Sequence, residues 1–63
     1  MYLFEGKYEK LEAGEVIEVI KRSVTIEEQF CKNDGEAFMF ASAELYNMCS
    51  ENEDMVSVEL IAK

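Results

Sequence analysis

Within residues 16–30, VIEVIKRSVTIEEQF, the second half alternates as a half-buried β-strand does, with Thr25, Glu27 and Gln29 on its polar face. The stretch is rich in β-branched residues, which favour strands, and Val24, Ile26 and Phe30 fall on one alternating face. Its opening letters, VIEVI, also fit a helical period, so a helical turn stays open there. The composition of the whole stretch favours a strand.

An Asp-Gly pair lies within the next segment, KNDGE, at residues 32–36. Such a pair between two alternating runs is a hairpin signal, because both residues tolerate positive φ angles. The run that follows, EAFMFA at residues 36–41, places Phe38 and Phe40 on one face of a strand. The sequence therefore predicts a β-hairpin with its turn at Asp-Gly.

A short helix is predicted over residues 42–49, SAELYNMC. Ser42 suits the N-cap, and a carboxylate follows in the first turn, where the helix dipole favours it. Leu45, Met48 and Cys49 lie at helical spacing and would face the sheet. The polar run SENED then ends the helix, and a closing strand follows at residues 55–62, where apolar positions alternate again.

The first thirteen residues fit either an edge strand or an irregular arm. With this uncertain segment in front, the elements run β-β-α-β. We therefore expect one domain over residues 1–63, of the α+β class, with a small antiparallel β-sheet of three or four strands and one short α-helix. A chain of 63 residues is near the lower limit for a hydrophobic core, so self-association is expected.

Acidic residues outnumber basic residues by 14 to 6, which gives a net charge of −8. The excess is concentrated in residues 33–63, which hold seven acids and only Lys63 as a base, whereas residues 1–32 have a net charge of −2. A field of this sign repels nucleic acid and anionic membranes and speeds encounter with a basic surface. We therefore expect a basic protein as partner, and no direct binding of nucleic acid or membrane.

Few residues of the chain are suited to catalysis or to metal binding. There is no histidine, the two cysteines Cys31 and Cys49 are too few for a zinc site, and no Gly-rich phosphate loop occurs. We expect no enzyme activity, cofactor or metal. The chain has no apolar run of about 18 residues and gains charge too early for a signal peptide, which indicates a cytoplasmic protein with reduced cysteines.

With catalysis and metal binding not expected, the acidic surface is the candidate for function. Carboxylates two residues apart on a strand stand about 6.6 Å apart, and Glu51 and Glu53 have this spacing. Each acid taken singly is an ordinary solvated side chain. The absence of Lys and Arg over residues 33–62 instead favours a row that imitates DNA phosphates, which recur about every 3.4 Å of axis on each strand. Tyr46 lies off the apolar stripe of the helix, where its ring suits an interface. The candidate partner-binding residues are Glu44, Leu45, Tyr46, Glu51, Glu53, Asp54 and Phe40.

The layout from SVTIEEQFCKNDGEAFMF through SAEL to EDMVSVELIAK, about residues 24–63, resembles the small acidic uracil-DNA glycosylase inhibitors of bacteriophages that infect Bacillus. The shared features are a VT strand, an acidic turn ending in Asp-Gly, an aromatic return strand, a helix opened by Ser and an acid-led closing strand. The resemblance implies a homodimer in the host cytoplasm. It also implies that this dimer mimics DNA and captures the apolar side chain that the glycosylase inserts into the duplex. The helix departs from the family pattern, so individual pocket residues do not transfer.

Two classes of function follow. The first is a DNA mimic that blocks the cleft of a DNA-binding enzyme, most specifically host uracil-DNA glycosylase. The second is a small interaction module, or an inhibitor of another nucleic-acid enzyme such as a nuclease, polymerase or CRISPR effector.

Overall fold

Three antiparallel strands and one helix make up most of the protein in the computed structural model, which describes all of residues 1–63. The elements are β1 at Tyr2–Glu12, β2 at Glu15–Ile26, a 3-10 turn at Glu28–Phe30, α1 at Asp34–Asn47 and β3 at Glu53–Ala62. The strand order is β2-β1-β3, and both pairings are antiparallel. The helix covers one face of the sheet. It is not long and apolar enough to cross a bilayer.

Strand β1 is the central strand of the sheet, so the prediction of an edge strand or an irregular arm for residues 1–13 is wrong. Its even-numbered aromatic residues Tyr2, Phe4 and Tyr8 are all buried beneath the helix. The two-residue turn after it has positive φ at both Ala13 (53°) and Gly14 (81°), as a type I′ hairpin requires. This turn makes β1 and β2 one long hairpin.

The Asp-Gly segment begins the helix and does not form a hairpin turn. Asn33 is the N-cap, and its side-chain oxygen accepts a hydrogen bond from the Glu36 N–H at 2.8 Å. The Glu36 carboxylate in turn accepts a hydrogen bond from the Lys32 N–H at 3.3 Å. An Asn followed three residues later by a Glu is a helix start signal, and here this signal prevails over the hairpin signal.

The predicted strand at residues 36–41 is therefore wrong, and so is a short helix limited to residues 42–49. One helix of 14 residues occupies both segments. Its buried stripe is Ala37, Ala41 and Leu45, four residues apart, which is a helical period. The same stretch also carries the alternating Phe38 and Phe40, and tertiary packing selects the helical pattern.

The core consists of eight buried apolar side chains between the helix and one face of the sheet. They are Tyr2, Phe4, Tyr8, Val24, Ile26, Ala37, Ala41 and Leu45. The small alanines let the helix lie close to the sheet. At Gly6 the approach is so close that an added Cβ would stand 3.1 Å from Leu45 Cδ2. Tyr8 supports this contact by donating its hydroxyl hydrogen bond to the Leu45 carbonyl.

Strand β3 does not alternate as its sequence predicts. The pairing with β1 skips Val56 and Ile61, and each skip is a β-bulge. Val58 and Leu60 share the helix side of the sheet as predicted, and the bulge at Val56 places Met55 there as well, opposite Tyr8. The predicted strand at residues 16–30 also ends early, at Ile26.

Candidate partner-binding surface

The register of the sheet brings acidic residues from both halves of the chain to one end. Lys10 on the central strand lies opposite Glu18 on one side and opposite Glu53 on the other, and the Leu11 N–H donates to the Asn52 carbonyl at 2.7 Å. The hairpin turn and the loop after the helix therefore lie side by side. We call residues 9–18 and 49–54 the acidic end.

The acidic end carries most of the net charge of the protein. It has seven acidic residues and one basic residue, a net charge of −6, whereas all the remaining residues together have a net charge of −2. The acids are Glu9, Glu12, Glu15, Glu18, Glu51, Glu53 and Asp54, and the base is Lys10. Charge is thus segregated in space and not only along the sequence.

Ion pairing neutralises little of this charge. Three of the four ion pairs in the molecule lie outside the acidic end, and only Glu53 within it is paired, with Arg22. The strand pairing also sets like charges opposite each other, Glu9 facing Asp54 and Glu12 facing Glu15. Like charges in directly opposite positions destabilise a sheet. Stability of the free protein therefore does not account for this arrangement.

Glu53 has a structural role, unlike the other acids. Its side chain is only 5% exposed and accepts two hydrogen bonds from the Arg22 guanidinium, at 2.7 and 3.0 Å, and one from the Ser50 N–H at 3.0 Å. Arg22 reaches across the central strand with its guanidinium 4.5 Å above the Tyr8 ring. The pair thus ties the two outer strands together, and Glu53 does not form an exposed row with Glu51.

The Arg22 hydrogen bonds, aided by the Ser50 N–H, lower the pKa of Glu53 from 4.5 to about 2. A carboxylate with a depressed folded-state pKa stabilises the fold above its unfolded-state pKa and loses that contribution as the pH falls toward the folded-state value. We therefore expect the urea midpoint to fall between about pH 4.5 and about pH 2.

The substitution Glu53→Gln should lower the urea midpoint at neutral pH and flatten this acid dependence. The matched control is Glu51→Gln, because Glu51 is exposed and makes no ion pair. It should leave the pH profile unchanged. Equal profiles for the wild type and Glu53→Gln would contradict the assigned role of Glu53.

A surface depression of about 750 Å³ opens beside the exposed acids. Tyr46 is 67% exposed at its margin, and Cys49 and Met55 supply further apolar surface. Glu51 and Asp54 line the same depression, and both are exposed. Four of the candidate residues therefore line one surface. Tyr46, Glu51 and Asp54 combine an exposed aromatic ring with unpaired carboxylates, and Glu53 lines the same depression with its carboxylate paired to Arg22.

The remaining candidates lie elsewhere. Leu45 is fully buried in the core, so it does not contact a partner. Glu44 and Phe40 line a separate groove between the helix and β2. The acids that sequence reasoning missed are those of the hairpin, Glu9, Glu12, Glu15 and Glu18. A two-residue turn at Ala13 and Gly14, within the segment EAGE at residues 12–15, would have predicted that these four acids lie close together.

The resemblance to the glycosylase inhibitors assumed a turn at Asp-Gly and a strand after it, but the structure has a helix in both segments. The Asp-Gly pair lies in the first turn of the helix, and the aromatic run FMF is helical.

No group of three or more metal-ligating side chains could hold a metal ion. No protein-family model, curated protein or solved structure matches the chain.

Proposed function

We propose that the protein is an inhibitor that inserts its acidic end into the nucleic-acid cleft of a DNA-binding enzyme, in place of DNA phosphates. The observation that carries the proposal is the convergence of six carboxylates without ion-pair partners at one end of the sheet, beside an exposed aromatic ring. Uracil-DNA glycosylase is the first enzyme to test, because of the resemblance of the sequence.

The spacing of the carboxylates suits a cleft that binds a charged backbone. Opposite residues on paired strands have Cβ atoms about 4.5–5.5 Å apart, and same-face residues along one strand are about 6.6 Å apart. Glu9 with Asp54 and Glu12 with Glu15 therefore form two close anionic pairs along one end of a molecule that measures 43 × 17 × 13 Å. Lysine and arginine side chains of a DNA-binding cleft would relieve the repulsion within each pair.

The depression beside Tyr46 supplies the apolar part of the contact. An amphipathic ring at the rim of a small hollow is typical of interface residues that contribute much of the binding energy. Here the ring stands next to Glu51 and Asp54, so one partner segment could place an apolar side chain in the hollow and a basic side chain on the carboxylates.

A second candidate function is a module that binds its partner through apolar contact. It is favoured by the many large apolar side chains left exposed outside the acidic end, such as Phe30, Met39 and Val19. The predicted homodimer would also cover such residues. Binding through these surfaces would depend little on salt, whereas binding through the acidic end would depend on it strongly.

Inhibition kinetics with purified bacterial uracil-DNA glycosylase and a uracil-containing DNA strand test this proposal. We expect the protein to raise KM and leave kcat unchanged, because it competes for the DNA cleft. Inhibition should weaken steeply as salt rises from about 0.05 M to about 0.5 M, since charges become screened.

The substitution Tyr46→Ala should weaken inhibition about tenfold. The control Met39→Ala removes an equally exposed apolar side chain from the outer face of the same helix and should have no effect. Inhibition that is insensitive to salt, or that lowers kcat at constant KM, would contradict a mimic of DNA.

A further inference from the structure

A second surface, at the opposite end of the sheet, has features of a peptide-binding site. A groove of about 550 Å³ runs between the helix and the edge strand β2. Its apolar lining comes from Ile26 on the strand, Phe30 on the 3-10 turn, and Phe40 and Ala43 on the helix. Phe30 is 66% exposed and Phe40 is 40% exposed. The fold therefore leaves two aromatic rings facing solvent across one groove.

The charge around the groove has one sign. Glu27 and Glu44 line it, and no lysine or arginine does. Neither of these carboxylates forms an ion pair in the molecule. The groove thus combines an apolar interior with an anionic rim, which complements an apolar side chain flanked by Lys or Arg.

The backbone beside the groove is free to pair. β2 is an outer strand, and its register with β1 is regular from Glu18 to Ile26. The other outer strand, β3, carries bulges at Val56 and Ile61 that disturb its edge. An extended peptide can therefore add to the edge of β2 by main-chain hydrogen bonds, as in β-augmentation.

We propose that β2 and this groove bind an extended segment of a partner protein, in which an apolar residue is flanked on the same strand face by Lys or Arg. The segment adds a fourth strand next to β2. Its apolar side chain enters the groove between Phe30 and Phe40, and its basic side chains, about 6.6 Å away on either side, reach Glu27 and Glu44. This site lies outside the acidic end, so it does not depend on the function proposed above.

The test uses the capped peptide Thr-Lys-Thr-Leu-Thr-Lys-Thr as probe and the full chain labelled for NMR. We expect one-to-one binding, with amide shifts and slowed hydrogen exchange over residues 19–25 and around Phe40. Two blocked peptides, one with proline in place of the inner threonines and one N-methylated at leucine and both lysines, remove alternate sets of main-chain N–H groups, so one of them should bind at least about tenfold more weakly. A peptide with glutamate in place of lysine should also bind at least about tenfold more weakly.

Variants of the protein separate this site from the acidic end. Phe40→Ser and Glu44→Lys should each weaken peptide binding about tenfold or more. Because Glu44 is exposed, the Glu44→Lys variant should fold and still tests the site if Phe40→Ser does not fold. Met39→Ser, one residue away and outside the groove, should bind like the wild type, and so should Glu51→Lys/Asp54→Lys.

Three results would overturn the proposal. The first is binding of both blocked peptides as tightly as the parent peptide. The second is a set of amide shifts confined to the acidic end. The third is protection of the β2 amides that rises with protein concentration in the absence of peptide, which would assign this edge to a second copy of the chain.

Discussion

Reversing the charge of two exposed acids, with Glu51→Lys and Asp54→Lys together, is expected to lower the affinity for the inhibited enzyme at least about 100-fold at low salt. Both residues line the Tyr46 depression, and neither makes an ion pair within the molecule. The variant would place two lysines against a cationic cleft, where like charges repel at short range. Titration of enzyme inhibition against protein concentration measures the loss.

The matched control makes the same change in net charge elsewhere, with Glu27→Lys and Glu59→Lys, neither of which breaks an ion pair. Both residues are exposed and lie outside the acidic end. This control should lose less than about tenfold in affinity for the enzyme, through the long-range field alone.

Reversal of the charge at Glu12 and Glu15 should lower the affinity as much as reversal at Glu51 and Asp54, because all four residues belong to the acidic end. Equal losses for the control and for Glu51→Lys/Asp54→Lys would show that net charge alone matters.

Truncation of Leu45 to alanine is expected to destabilise the fold by about 2–5 kcal/mol, as is usual for a fully buried leucine. Leu45 is completely buried, and its methyl groups lie against Gly6 on the central strand. A domain of this size has a total stability of roughly 3–9 kcal/mol. The Leu45→Ala protein should therefore lose a large share of its stability, and its urea midpoint, followed by circular dichroism, should fall well below that of the wild type.

Leu60→Ala is the control for this truncation. Leu60 is 36% exposed on strand β3, so the same chemical change should cost less than about 1 kcal/mol. A Leu45→Ala protein as stable as the Leu60→Ala protein would contradict the packing of the helix on the sheet. It would also remove the basis for the position of Tyr46, the next residue along the helix.

The presence of strands β2 and β3 could be predicted from alternation, but their bounds and the faces of β3 could not, because β2 ends at Ile26 and the register of β3 shifts at Val56 and Ile61. The helix could not be predicted at its true length from one sequence alone. NDGE is compatible with a hairpin turn and with a helix start, and the following residues carry both an alternating pair, Phe38 and Phe40, and a helical stripe from Ala37 to Leu45. The choice between them depends on packing against Gly6 and Tyr8, which are distant in sequence.

The candidate site was predictable only in part, for a similar reason. The sequence places three acids within residues 51–54, but it does not show which of them is neutralised, because the partner of Glu53 is Arg22, 31 positions away. Nor does it show that the acids of the hairpin join those of the last loop, since this follows from the register of β1 with both neighbours. The exposure of Tyr46 could be predicted, because it lies off the buried stripe of the helix.

Displacement by DNA tests the central claim most directly. The wild-type protein and the Glu51→Lys/Asp54→Lys variant are immobilised side by side, loaded with bacterial lysate at low salt, and eluted with duplex DNA. We predict that the wild-type column retains a basic DNA-binding enzyme, that DNA or about 0.5 M salt releases it, and that the variant column does not retain it. A retained protein that resists displacement by DNA, or that binds both columns equally, would contradict the imitation of DNA by the acidic end.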